Sequence, residues 1–250
     1  MTDSHRVPPG DGAVAVRVGL LECDHTDPGL RGIDGDYADM FTALFAAHAP
    51  QLQLSRIDLI GGEVLPRLDD HDAYLVTGSR LDAVAEEGWI VALADFLRRA
   101  HDAGKPTVGI CFGHQLIAHA LGGRVERASL GWGIGVHQAR LTPTAAAHRP
   151  ELPGCFSLLL SHQDQVLALP PGGEVLATSE HAPVAAFRVG SLLGFQGHPE
   201  FTVPYATALM DSRTDRIGAE AIALARRTLG SPTDHAAVAR WIGRHLADAT

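Results

Sequence analysis

The sequence contains few cysteines and almost no lysine. Its 250 residues include 3 cysteines, which are scattered along the chain and too few for a disulfide framework. A free thiol is typical of a reducing compartment. Lys105 is the only lysine, and the formal net charge at pH 7 is -9. Because phosphate neutralisation needs clustered basic side chains, this charge argues against general nucleic-acid binding.

Long hydrophobic runs are also absent. No uninterrupted apolar run approaches the roughly 20 residues of a membrane span, and the segment from Met1 to Gly12 lacks the apolar core of a signal peptide. We therefore expect a cytoplasmic protein that does not bind membranes. With 46% hydrophobic residues, the chain has enough apolar side chains for one large core. We predict a flexible tail over residues 1–12 and a single domain over residues 13–250.

The hydrophobic pattern alternates between the periods of strands and helices. Residues 14–21 are predicted as the first strand, and helical spacing recurs in residues 37–45 and 89–100. This alternation predicts an α/β fold with a mainly parallel sheet, helices on both faces and a site at the carboxyl ends of the strands. Short strands and turns from 133 to 197 predict antiparallel additions to the sheet. Two helices, over 221–229 and 238–246, are expected to close the chain.

One cysteine lies where a predicted strand runs directly into a predicted helix. Cys111 follows the apolar run 107–110, with Gly109 and Gly113 two residues away on either side. A residue at such a bend is held in a strained conformation that projects its side chain above the sheet. The adjoining helix end favours a thiolate over a thiol. The pattern predicts that Cys111 is a nucleophile, whereas Cys23 and Cys155 fit the more usual role of a structural cysteine.

A second motif supplies a base for this cysteine. His198, Pro199 and Glu200 come shortly after the apolar run 192–195. Side chains two residues apart in an extended segment lie on the same side, so we expect His198 and Glu200 to be neighbours. A nucleophilic cysteine needs a base to carry its proton, and the base needs a third group to fix its tautomer. Cys111, His198 and Glu200 fill these three roles.

The two motifs resemble the signatures of class I glutamine amidotransferases of the triad type. The elbow 109–115 is similar to Gly-x-Cys-x-Gly-His-Gln, and 197–200 reads Gly-His-Pro-Glu. Between them, residues 161–166 resemble the Ser-His-x-Asp-x-Val loop in the glutaminase part of GMP synthetases. The resemblance covers roughly residues 14–212 and implies a three-layer, flavodoxin-like fold. It also implies that the ends of a glutamyl substrate are held by Gln115 and by a loop formed by Ser161, His162, Gln163 and Asp164.

The expected oxyanion loop departs from the usual family pattern. The glutaminases of GMP and anthranilate synthesis usually contain Gly-Gly-Pro there, whereas this chain has Thr77, Gly78, Ser79 and Arg80. This version resembles the γ-glutamyl peptidase branch, whose members hydrolyse γ-glutamyl bonds without a synthetase domain. We expect the oxyanion donors to be the backbone N–H of Phe112 and that of Gly78 or Ser79.

The resemblance implies cysteine-dependent hydrolysis of a γ-glutamyl amide through a γ-glutamyl thioester, without a cofactor. Two kinds of substrate stay open. One is glutamine, whose ammonia would pass to a separate synthetase subunit, and the other is a γ-glutamyl peptide or amine that this chain hydrolyses alone. A regulatory or binding subunit without activity is a third interpretation, which the intact triad disfavours.

The remaining candidate features are weaker. None of the 14 histidines has the spacing of a zinc site, so we expect no metal centre and mostly solvated histidines, with packing or local hydrogen bonding as the role of His114 and His119. Trp132 either lines the pocket or packs. The acidic residues between two predicted elements either contact the substrate amine or, as we favour, lie in a solvated loop; they are Glu22, Asp24, Asp27, Asp34 and Asp36.

Overall fold

The computed structural model describes residues 15–148 and 154–248 and contains one large sheet and one small one. The predicted tail over 1–12 lies outside the described residues. The strands of the large sheet are β1 (Val16–Glu22), β2 (Leu52–Asp58), β3 (Ala73–Val76), β4 (Thr107–Ile110), β6 (Gly133–Leu141), β7 (Cys155–His162), β9 (Glu174–Thr178), β10 (Ala186–Val189) and β11 (Leu192–Phe195). The small sheet pairs β5 (Arg124–Arg127) with β8 (Asp164–Ala168).

Helices connect these strands and close the chain. They are α1 (Arg31–Asp34), α2 (Tyr37–His48), α3 (Gly88–Asp102), α4 (Phe112–Ala120), α5 (Pro143–His148), α6 (Val203–Ser212), α7 (Thr214–Ile217), α8 (Ala219–Arg226) and α9 (His235–Ala247). None of the helices in the described ranges is long and apolar enough to cross a membrane.

The strand order of the large sheet is β2-β1-β3-β4-β11-β10-β9-β6-β7. The first five strands pair in parallel, and their order follows the flavodoxin-like pattern in which the chain reverses direction across the sheet after β1. The last four are joined by antiparallel pairing. The predicted α/β class and the antiparallel additions between 133 and 197 are thus confirmed. Because β4 lies between β3 and β11, the loops that follow these three strands meet at one edge of the sheet.

The helices cover both faces and give three layers. On one face, α2 and α9 bury Phe41, Phe45 and Trp241 against the sheet, and on the other α3 and α4 bury Phe96 and Leu116. Each such side chain removed from water stabilises the fold by about 1.5–3 kcal/mol. The predicted helical stripes over 37–45, 89–100 and 238–246 all lie on these buried faces, although Trp89 is only partly buried.

Two predicted boundaries were wrong in detail. The first strand runs from Val16 to Glu22, one residue beyond the predicted end. The apolar stripe over 221–229 is only partly helical, because α8 ends at Arg226. It is also only partly buried, since Leu224 is half exposed. After α8, the hydroxyl of Thr228 accepts a hydrogen bond from the backbone N–H of Val136 on β6 at 2.9 Å.

Candidate active site

Cys111 occupies the bend between β4 and α4. Its φ of 51° and ψ of -99° make it the one residue other than glycine with a positive φ in the described ranges. Such a conformation costs on the order of 1–3 kcal/mol and persists only where the surroundings impose it. The N–H of Cys111 donates to the carbonyl oxygen of Phe195 at 2.8 Å, and its own carbonyl accepts from Gln115 N–H at 3.0 Å. The bend therefore has the backbone strain of a nucleophile elbow.

The two glycines that flank Cys111 are required by close backbone approaches. A Cβ at Gly109 would lie 2.3 Å from the carbonyl carbon of Gly113, and a Cβ at Gly113 would lie 2.6 Å from the carbonyl oxygen of Val76. Real Cβ atoms do not approach other atoms this closely, so only glycine fits at either position. The steric reason predicted from the sequence holds in the structure.

His198 and Glu200 follow β11, the strand that lies beside β4. Nδ1 of His198 is 2.8 Å from Oε1 of Glu200, and both side chains are almost completely buried. The N–H of His198 donates to the carbonyl oxygen of Leu159 on β7 at 2.9 Å, which fixes the backbone of the histidine. Nε2 of His198 is buried and forms no hydrogen bond to the described residues. One ring nitrogen is therefore held by the carboxylate while the other stays available.

The charges around His198 favour its protonated form. Burial lowers the pKa of the imidazole, but the negative charges of Glu200 and of the Cys111 sulfur outweigh that effect and raise the pKa of His198 to about 10. The ring of Phe201 also stacks on the imidazole, with ring centroids 3.9 Å apart and planes 8° apart. Electrostatics therefore favour an imidazolium at His198 at neutral pH.

Gly78 lies between the cysteine and the histidine. A Cβ at this position would be 3.0 Å from Cε1 of His198 and 3.8 Å from Cβ of Cys111. Together with Ser79, these residues line one small cavity. The backbone N–H groups of Gly78, Ser79 and Phe112 donate no hydrogen bond within the described part of the chain. The residues expected to stabilise an oxyanion thus flank Cys111 with unused donors.

The residues predicted to hold the substrate surround a cleft that opens from Cys111. Gln115 and all four members of the loop 161–164 line it. Nε2 of Gln115 donates to the carbonyl oxygen of Asp164 at 2.6 Å and lies 3.2 Å from Oε1 of Gln196, so Gln115 fastens the loop to the elbow helix. Nδ1 of His162 binds the same carbonyl at 3.0 Å. Burial, with a smaller effect from the charge of His181, lowers the pKa of His162 to about 3, so this ring is neutral.

The expected oxyanion loop is held by the segment that follows β1, a feature that the sequence did not indicate. Both carboxylate oxygens of Asp24 accept hydrogen bonds from Arg80, at 2.8 Å from its backbone N–H and 2.7 Å from Nη2. The N–H of Cys23 donates to the hydroxyl of Thr77 at 2.9 Å. The loop between Thr77 and Arg80 is therefore held at both ends by the segment that follows β1.

The favoured interpretation of the acidic segment as a solvated loop was wrong. Glu22, Asp24 and Asp36 are buried. Nε of Arg56 donates to Glu22 at 2.5 Å, while Asp36 caps α2 and lies 3.0 Å from Nδ1 of His25. Asp27 is exposed as expected, whereas Asp34 is half-buried and accepts a hydrogen bond from the hydroxyl of Thr202. The buried carboxylates have positively charged or N–H partners, which compensate for the lost solvation.

The histidines also differ from expectation. Among the described histidines only His119 and His235 are exposed, whereas His114, His162, His181 and His198 are buried. His114 packs edge to face against Phe187 with ring centroids 5.0 Å apart, in agreement with its predicted packing role. Ligand atoms of Glu22, His25 and Asp58 lie within 4.8 Å of one another, but Arg56 already binds both carboxylates. We assign no metal to this cluster, and the absence of a metal centre stays a prediction.

Two further cleft residues clarify what the sequence left open. Trp132 combines the two roles considered for it. Its ring lines the cleft, and its Nε1 donates to the carbonyl oxygen of Arg216 at 3.1 Å, which holds the ring against the neighbouring segment. Arg213, which no motif marked, donates from Nη1 to the hydroxyl of Ser161 at 3.0 Å and lines the cavity beside Cys111 and His198.

A larger cavity of about 510 Å³ lies at the opposite edge of the sheet, near Trp241, and contains none of the predicted site residues.

The fold agrees with the comparisons to known proteins. Residues 84–210, half of the chain, match the family model for class-I glutamine amidotransferases. γ-Glutamyl peptidase 5 of Arabidopsis thaliana is 34% identical over 186 residues, which span 71% of this chain and 72% of the relative. A GMP synthase of Thermomicrobium roseum is 45% identical over 102 residues, which span 40% of this chain and 18% of the relative.

The solved structure of a glutamine amidotransferase from Thermotoga maritima has the same fold. Its TM-score is 0.72 at 22% identity, and the match covers 93% of this chain and 96% of that one. The match to the family model and the identity to γ-glutamyl peptidase 5 show that the chain belongs to the class I glutamine amidotransferase family. Its relatives in this family include γ-glutamyl peptidases, the branch that the oxyanion loop resembled, as well as GMP synthases. The family and these relatives support hydrolysis of glutamyl amide bonds as the general activity.

Proposed function

We propose that the chain hydrolyses γ-glutamyl amide bonds through a thioester on Cys111. The observation that carries the proposal is the arrangement around one small cavity: a cysteine with a positive φ, a histidine with a free Nε2, and a glutamate on the other ring nitrogen. This is the logic of a nucleophile, a base and an orienting carboxylate.

The reaction proceeds in two halves. Sγ of Cys111 attacks the side-chain carbonyl carbon of the γ-glutamyl group, and the thiol proton resides on His198. His198 then protonates the departing nitrogen as the C–N bond breaks, which leaves a γ-glutamyl thioester and a free amine. In the second half, water gives a proton to His198 and attacks the thioester carbon. Cleavage of the C–S bond releases glutamate and restores Cys111.

Charge on the carbonyl oxygen is stabilised by backbone donors. The N–H of Phe112, together with that of Gly78 or Ser79, serves this purpose, since none of the three is used elsewhere in the described residues. Loss of one such donor typically reduces kcat by about 100-fold to 1000-fold. Gln115 and the loop 161–164 hold the remaining end of the glutamyl group.

The substrate is a γ-glutamyl peptide or amine that this chain hydrolyses without a partner. Support comes from the γ-glutamyl peptidases of Arabidopsis thaliana, which match over most of this chain, whereas the GMP synthase matches only over a fifth of its own length. A second candidate is a glutaminase that feeds a separate synthetase subunit. The 45% identity to that GMP synthase is the observation that favours it.

Glutamate release tests the proposal directly. Purified protein would be supplied with glutamine and with a panel of γ-glutamyl peptides and amines, with Cys111→Ala as the inactive form and Cys155→Ala as the matched control. We expect release that depends on Cys111 alone and is faster with peptides than with glutamine. Full activity in Cys111→Ala would refute the thioester. Absence of turnover together with failure of a glutamine-like electrophile to label Cys111 would support a non-catalytic subunit, and weak release from glutamine alone would favour the glutaminase.

A further inference from the structure

Arg213 stands at the cavity that contains the nucleophile. It lies between α6 and α7, where its carbonyl oxygen accepts hydrogen bonds from Arg216 N–H and Ile217 N–H at 2.9 Å each. Its guanidinium donates to the hydroxyl of Ser161 at 3.0 Å and lines the same cavity as Cys111 and His198. The backbone contacts and the hydroxyl hold this cation in a defined place.

Within the described ranges, Arg213 has no carboxylate partner. Asp211, two residues earlier, is engaged by Arg226 at 2.6 Å instead. Of the other arginines that line the cleft, Arg80 is paired with Asp24 and Arg127 with Asp164, whereas the guanidinium of Arg216 lies over the ring of Trp132 at 5.6 Å. A half-buried guanidinium without a counter-ion is unfavourable, and the chain as a whole has a net charge of -9. An arginine kept unpaired beside the nucleophile therefore indicates that an anion binds there.

The position of His198 decides which part of the substrate carries that anion. His198 protonates the departing nitrogen, so the group attached to this nitrogen must occupy the side of the cavity next to the imidazole. His198, Phe201 and Tyr37 line that side together with Arg213. Gln115 and Asp164, which would hold the glutamyl end, line only the wider cleft, whereas Arg213 and Ser161 line both the cleft and the cavity beside the imidazole.

We propose that Arg213 binds a carboxylate of the leaving group, so that the preferred substrates are γ-glutamyl amino acids and peptides rather than γ-glutamyl amines or glutamine. The inference rests on the hydrolysis proposed above and adds a leaving-group subsite to it. A guanidinium matches a carboxylate with two parallel N–H donors, which gives both affinity and orientation.

Two substrates that differ only in the leaving-group charge test this subsite. γ-Glutamyl-alanine carries the carboxylate, and γ-glutamyl-alaninamide carries a neutral amide of the same size. We expect the wild type to show a kcat/KM on the order of 10 to 100 times higher for the acid, the range of a charge-assisted hydrogen bond. Arg213→Gln should lose that preference, because its kcat/KM falls by this factor for the acid and by much less for the amide. Arg226→Gln, which removes a nearby guanidinium outside the cavity, should keep the preference.

Other results would overturn the inference in recognisable ways. An equal loss for both substrates in Arg213→Gln would place Arg213 on the α-carboxylate of the glutamyl group, and a wild type that treats both substrates alike would remove the subsite altogether. Failure of the wild type to hydrolyse either substrate would instead refute the proposed function. If circular dichroism shows that Arg213→Gln does not fold, Arg213→Lys replaces it. That variant keeps the charge without the paired donors, so its preference should fall but not vanish, and an undiminished preference would contradict the proposal.

Discussion

The ring of Phe201 lies flat on the imidazole of His198, with centroids 3.9 Å apart and planes 8° apart. Phe201 is itself held by Tyr205, whose ring meets it edge to face at 4.8 Å. The contact fixes the plane of the imidazole and places the electron-rich face of an aromatic ring against a group whose pKa is raised to about 10. We therefore predict that Phe201 positions the imidazole and favours its protonated form.

Replacement of Phe201 should change the pH profile as well as the rate. In Phe201→Leu we expect kcat/KM to fall roughly tenfold. The basic limb of its pH profile should also move to lower pH by up to about one unit, because loss of the ring removes an interaction with the His198 imidazolium worth about 0.5–2 kcal/mol. Phe201→Tyr keeps the ring and should retain the wild-type limb. A lower rate with an unchanged limb in Phe201→Leu would reduce the role of Phe201 to packing.

Asp24 should matter for the rate because it clamps the oxyanion loop. Asp24→Asn removes the charge that binds the guanidinium and the N–H of Arg80. We expect kcat to fall on the order of 10 to 100 times, with a smaller change in KM, since misplaced oxyanion donors affect the transition state more than the bound substrate. Asp27→Asn, an exposed change three residues away, is the control. If KM alone rose in Asp24→Asn, Asp24 would act on substrate binding and not on the loop.

Gly78 should not tolerate a side chain. In Gly78→Ala the new Cβ would lie 3.0 Å from Cε1 of His198, so either the histidine or the loop must move by a few tenths of an ångström. We expect kcat/KM to drop by about 100-fold, since misplacement of this order disrupts catalytic geometry. The thermal unfolding temperature should change little. Gly88→Ala, where the Cβ meets no atom within 4 Å, should have wild-type activity. Wild-type turnover by Gly78→Ala would show that the loop can shift without consequence.

His114 should make the fold sensitive to acid. Burial lowers the pKa of His114 to about 3 from a usual value of 6.5, so the unfolded chain binds a proton that the folded chain does not. The contribution of this neutral ring to stability is complete above pH 6.5 and is lost as the pH falls towards 3, at up to about 1.4 kcal/mol per pH unit. Urea unfolding at pH 7 and pH 5 should show a smaller drop in unfolding free energy for His114→Gln than for the wild type. His119→Gln, on the exposed side of the same helix, should behave as the wild type; equal drops in all three would contradict the assignment.

The parts of the site that were predictable from sequence depend on short-range geometry. Gly109 and Gly113 stand two residues from Cys111, and His198 stands two residues from Glu200, so local sterics and strand periodicity were enough to place them. Alternation of strands and helices likewise predicted the sheet. Recognition of the loop 161–164 came from the family resemblance.

The parts that were missed depend on partners far away along the chain. Asp24 and Arg80 are 56 residues apart, and Arg213 meets Ser161 across 52 residues. Nothing in the acidic segment of Asp24 or in the charged turn of Arg213 indicates such a partner, so both were expected at the surface or not marked at all. The buried histidines were missed for the same reason: His162 and His181 become neighbours only after β7 and the β9–β10 connection come together.

The positive φ of Cys111 places stability and the proposed activity in conflict at one position. An L residue at this bend costs stability that glycine would not, yet glycine offers no sulfur. Selection for heat tolerance and selection for turnover therefore act in opposite directions at a single position. Attempts to raise the thermal stability of this protein should therefore target other positions, because the one described non-glycine residue with a positive φ is also the proposed nucleophile.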